Sequence, residues 1–82
     1  MKIKVKVAEK KTETVSIDTE FIRLDAFLKL CNLVQSGGHA KIVIQDGEVK
    51  VNGEVCTMRG KKLHNSDKVE FNRKIYEVRV TE

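Results

Sequence analysis

The chain has no tryptophan and no proline, and aromatic residues make up only 5% of its 82 positions. With so few rings, a base-stacking platform for single-stranded nucleic acid is disfavoured. Cys31 and Cys56 are the only cysteines, and neither belongs to a CxxC or to a Cys/His set with metal spacing. A metal site, a cofactor and a disulfide framework are therefore not expected. No apolar run approaches the roughly 18 residues needed to span a bilayer, so no membrane partner is expected. The start, MKIKVKV, alternates lysine with aliphatic residues and lacks the continuous apolar centre of a signal peptide, which makes the cytoplasm the expected compartment. No linker, low-complexity tract or internal repeat divides the chain, and residues 1–82 are expected to form one domain with a single small core.

Catalytic chemistry is missing in the same way. His39 and His64 have no Ser or Cys partner in a recognisable arrangement, and Asp25, Asp46 and Asp67 stand apart. The stretch GEVKVNG at 47–53 is no phosphate-binding P-loop, which needs Lys and Ser/Thr directly after its second glycine. No enzyme and no small-molecule substrate are expected.

What is present is patterned. Lys2–Val7 alternates lysine with Ile3, Val5 and Val7, the period of a half-buried strand with a lysine-lined edge. Glu9–Glu13 reads as a turn and Thr14–Ile17 as a second strand in a hairpin with the first. A helix begins between Thr19 and Leu24, with Leu24, Phe27, Leu28 and Cys31 at i, i+3, i+4, i+7. Leu33 and Val34 tuck in after it. Ser36 is a good N-cap for a second helix running to about Gln45, which buries Ala40, Val43 and Ile44 and ends at Gly47 in a left-handed conformation. Val49 and Val51 lead into Asn52-Gly53, a strong hairpin signal, with Val55 and Thr57 returning. Met58–Ser66 has no period and reads as a mobile loop. Val69 and Phe71, then Ile75, Tyr76, Val78 and Val80, predict a last hairpin turning at Asn72-Arg73. The expected fold is α+β, an αα-hairpin packed on a small, mainly antiparallel β-sheet with an added N-terminal strand or hairpin.

Sixteen Lys+Arg against 12 Asp+Glu give a net charge of +4, which suggests an anionic partner without proving one. Two places concentrate the relevant groups. At Ser36-Gly37-Gly38 a helix N-terminus offers unsatisfied N–H groups, and His39 and Lys41 add donors in the following turn. The same residues are equally explained as a cap and a chain turn. Around Met58–His64, Arg59, Lys61 and Lys62 occur without an acid. Such a loop either follows a nucleic-acid backbone or is simply solvated. Lys50, on the outward side of its strand, is a candidate extension of that patch.

Taken in order, Arg23-Leu24-Asp25, Phe27-Leu28, Ser36, Ala40, Gly47, Val49, Val51 and Asn52-Gly53 resemble the S-four-type RNA-binding domain. The runs Thr19-Glu20-Phe21, Phe27–Leu30, Ser36-Gly37-Gly38, Ala40-Lys41 and Arg59–Leu63 are similar to its stand-alone, YaaA-like branch of small bacterial proteins. The resemblance covers about residues 19–71. It implies an αα-hairpin over a small sheet that binds structured RNA, with ribosomal RNA, a ribosomal subunit or an assembly intermediate as the partner. It also implies that Arg23, at the start of the first helix, and Ser36, opening the second, belong to the RNA-binding set. Where most such domains have an Arg after this Ser, the chain has Gly37, so one phosphate clamp is missing. The competing reading is a β-grasp-like adaptor that docks a protein through the lysine-lined edge, without RNA. The C-terminal Gly-Gly of ubiquitin-like carriers is not present.

Overall fold

Helix α1 (Leu24–Leu30) forms where the 3.6-residue spacing of apolar side chains predicts it. Leu24, Phe27 and Leu28 are fully buried, while Cys31, at the helix end, is half-buried. The helix stops because Asn32 takes a left-handed φ of 61°. From there Asn32 N–H donates to the Lys29 carbonyl and Leu33 N–H to the Leu28 carbonyl. This is a Schellman ending with asparagine in the position glycine usually holds. Helix α2 (Gly37–Gln45) ends in the same way, with Gly47 at φ 79° and Glu48 N–H on the Val43 carbonyl. Its buried side is Ala40, Val43 and Ile44.

The computed structural model describes residues 12–81, so the alternating Lys2–Val7 segment and its expected hairpin lie outside the described residues. Within them, β1 (Thr12–Ile17) precedes the helices, together with a short β2 (Ile22–Arg23). After the helices come β3 (Val49–Val51), β4 (Glu54–Val55), β5 (Lys62–Leu63), β6 (Lys68–Phe71) and β7 (Lys74–Val80). The main sheet has the order β1-β7-β6-β3-β4, antiparallel except for the parallel β1–β7 pair. The α+β architecture with two helices on a mainly antiparallel sheet is as expected.

Two expectations need correction. Thr12 and Glu13, read as part of a turn, belong to β1, where pairing runs unbroken from Thr12↔Ile75 to Ile17↔Val80. Backbone pairing with the last strand overrides their polar character. The second correction concerns Met58–Ser66, which is no free loop. Lys62 and Leu63 pair antiparallel with Arg23 and Ile22, and Leu63 is fully buried. The hydrophobic term for burying one such side chain, roughly 1.5–3 kcal/mol, anchors the whole segment.

Both hairpins turn where expected. Asn52 (φ 52°) and Gly53 (φ 91°) join β3 to β4, and Asn72 (φ 57°) and Arg73 (φ 68°) join β6 to β7. Positive φ at both central residues matches the right-handed twist of the strands. Val49, Val51, Val69, Tyr76 and Val78 turn inward to meet the helices. Lys50, Lys68, Glu70, Glu77 and Arg79 alternate with them and occupy the other face of the sheet.

Candidate nucleic-acid interface

The first turn of α1 explains how the basic segment is held. Leu24 N–H donates to the Lys61 carbonyl at 2.8 Å and Asp25 N–H to the Arg59 carbonyl at 3.1 Å. A turn closed by Lys61 N–H on the Met58 carbonyl links these two acceptors. Helix amides that would otherwise lack partners are thus satisfied by the loop, and the loop's carbonyls are drawn inward. The side chains of Arg59, Lys61 and Lys62 are exposed. Register places Lys62 directly opposite Arg23 on the β2–β5 ribbon. The Arg23 guanidinium lies over Gly60, 3.6 Å from where a Cβ would stand, and touches Asp25 at 3.3 Å. That ion pair is exposed at its arginine end and leaves the remaining guanidinium donors available.

Ser36, Gly37, Gly38, His39 and Lys41 form a second group at the start of α2. Ser36 Oγ accepts from His39 N–H at 3.1 Å, the expected cap. His39 Nδ1 accepts from Gln35 N–H at 3.4 Å, one residue before the N-cap, and so ties the incoming chain to the first helical turn. Gly37 and Gly38 are the first helical residues rather than a turn, and neither has a positive φ. A Cβ at Gly37 would meet nothing within 4 Å. The fold therefore does not demand glycine there, and the bare amides of this helix start stay open.

The structure brings Arg23, Arg59, Lys61 and Lys62 together at the start of α1, whereas the Ser36–Lys41 group belongs to the start of α2. Lys50 joins neither group. It stands on the sheet face turned away from the helices, in register with Val55 on one side and Glu70 on the other. Two residues outside the expected RNA-binding set flank the basic group. The ring of Phe21 lies 4.9 Å from Lys62 Nζ and 5.9 Å from the imidazole of His64. The matching signals were the alternations Phe21-Ile22-Arg23 and Lys62-Leu63-His64, too short to recognise before their pairing was known.

Cys31 is not a nucleophile at neutral pH. Burial, and secondly the Glu13 carboxylate, push its thiol up to about 11. The same two causes, in the same order, raise Tyr76, with a smaller push from Cys31. Among the described residues, no three His, Cys, Asp or Glu side chains are placed to hold a metal ion. No helix among them is long and apolar enough to cross a membrane.

Similarity to known proteins agrees with this geometry. A protein of Bacillus subtilis (strain 168) described as a probable ribosome maturation protein RlbA is 52% identical over 57 residues, which cover 70% of this chain and 80% of the relative. Residues 15–79 match the S4 domain, a span from the first strand through both helices to the last strand, and the chain belongs to that family.

Proposed function

We propose that this protein is a non-catalytic RNA-binding protein that recognises structured RNA, namely ribosomal RNA or a ribosome-assembly intermediate. Arg23, Arg59, Lys61 and Lys62 hold phosphates at one end of α1. The α2 amides with Ser36, Gly37, Gly38, His39 and Lys41 hold them at the start of α2. Lys50 is left out, because it lies on the other side of the sheet.

One observation carries the reading: the first amides of α1 bind the carbonyls of Arg59 and Lys61, so a cation-rich segment is fixed beside Arg23. Cations held in place before binding lose less entropy on meeting phosphate than cations on a free loop. The S4 domain match and the relative described as a probable ribosome maturation protein support the same partner class. Recognition is by backbone and shape, since phosphate contacts position a protein while an RNA duplex hides most base edges.

The test is retention of structured RNA across a salt series. Affinity should fall steeply and log-linearly with salt, in proportion to the phosphates neutralised. A flat profile with weak retention would overturn the reading.

A further inference from the structure

We propose that the outward side of the β2–β5 ribbon is a stacking site for one unpaired nucleobase, with Phe21 as the platform. The proposal rests on the RNA-binding reading above and adds a feature the RNA must have.

The ribbon has two sides. Ile22 and Leu63 form its inward pair, with Leu63 fully buried and Ile22 packed against the core. The outward side carries Arg23 opposite Lys62, and, just beyond the last pair, Phe21 beside His64. Three planar groups and an ammonium therefore share one small surface. Phe21 is 36% exposed, whereas Phe27 is fully buried and Tyr76 nearly so. Nor does Phe21 pack among the half-buried residues that line the core. Over a third of the surface of Phe21 is thus left open.

Both ring-bearing residues are held. The Phe21 carbonyl accepts from Thr19 Oγ1 at 2.8 Å, and His64 N–H donates to Asp67 Oδ2 at 2.7 Å. The two rings are tilted by 48° with centroids 5.9 Å apart. Lys62 Nζ sits 4.9 Å from the Phe21 centroid, an exposed cation–π contact. Such a contact is weaker than stacking of a base on a ring, so an arriving base displaces the ammonium, which is then free to take a neighbouring phosphate. Every base has a flat π face, but in a duplex that face is covered by its neighbours. The site therefore needs a base that is bulged, looped or terminal, beside a helical stem whose phosphates meet Arg23, Arg59 and Lys61.

The test uses two hairpin RNAs with the same stem, one carrying a single unpaired adenosine and the other an abasic ribose at that position. The protein should bind the adenosine hairpin about tenfold more tightly, the size of one stacking contribution. Phe21→Leu keeps apolar bulk and should bring the two affinities together while preserving the abasic affinity, its salt slope and the melting temperature. Phe21→Trp, with a larger π face, should keep the preference. Equal binding of both hairpins by the wild-type protein, or an undiminished preference in Phe21→Leu, would overturn the stacking site alone. Failure of the wild-type protein to bind either hairpin with a salt slope would overturn the RNA-binding reading, and the stacking site with it.

Discussion

The ribbon–loop end of the molecule and the sheet face turned away from the helices both carry exposed cations, but they arrange them in opposite ways. On the sheet face, register sets Lys50 against Glu70 and Lys68 against Glu77. Directly facing opposite charges are the usual way a sheet surface offsets its own field. At the ribbon–loop end, Arg23, Arg59, Lys61 and Lys62 converge, and the ion pair among the described residues there is Arg23 with Asp25. The difference lies in what supplies the neighbours. Across the strands Lys50 and Lys68 each meet an acid, whereas Lys62 meets Arg23. In the turn at 58–61 the neighbours are helix amides, which consume carbonyls and leave side-chain charge uncompensated. A net charge of +4 is thus a poor guide to partner binding until the acids have been located.

The strongest way to break this comparison is to cut the anchor of the basic end. Leu63→Ala removes a fully buried side chain beneath Lys62 and should destabilise the domain by about 2–5 kcal/mol. Urea unfolding measures it, and a loss well under about 1 kcal/mol would mean that the ribbon is peripheral to the core.

Changing the charges sharpens the comparison without touching the core. Replacing Arg59, Lys61 and Lys62 together with alanine should lower the salt slope of RNA binding by roughly one unit per lost phosphate contact. The matched replacement of Lys50, Lys68 and Arg79 should leave that slope where it was. Equal losses from both triples would mean that only bulk charge matters. Each of the six positions is exposed, so single changes there should stay within about 0.5 kcal/mol in stability.

The two hairpin turns make a smaller, paired test. Gly53→Val puts a β-branched residue at φ 91° and should cost about 1–2 kcal/mol or slightly more, although the space around it is empty. Arg73→Gly relieves an L-residue held at φ 68° and should add up to about 1 kcal/mol. Thermal melts of the two variants should therefore shift in opposite directions. Full stability in Gly53→Val combined with lost RNA binding would point to a direct contact at that turn.

A further effect is confined to alkaline pH. The folded-state value of Cys31 is raised from 9.0 to about 11, so the fold disfavours the thiolate. Stability from this group is intact below about pH 9 and is lost as pH rises from there towards 11. The raised Tyr76 hydroxyl acts in the same direction. Cys31→Ala should flatten part of that decline in denaturation curves taken across the alkaline range, and an unchanged slope would assign it elsewhere.

Much of the fold was legible before any coordinates. Both helices, the Ser36 cap, the Gly47 ending and the turns at Asn52-Gly53 and Asn72-Arg73 follow from signals spanning only a few residues. Asn32 was legible only in hindsight: it ends α1 in a left-handed conformation that asparagine tolerates. The β2–β5 ribbon was not legible. Each strand has two residues, too few to display a period, and the partners lie some forty positions apart. The parallel β1–β7 pair was missed for a related reason, since it joins one end of the described chain to the other.

The sequence by itself therefore determined the elements whose causes are local: amphipathic spacing, a serine cap, glycine or asparagine where φ must be positive. It also determined which residues carry charge. Only the tertiary structure decided which charges stand together, because the α1 amides reach across to the Arg59 and Lys61 carbonyls and Leu63 is pulled into the core. Those contacts gain their free energy from burial and hydrogen bonding between segments distant in sequence, and no local pattern records them.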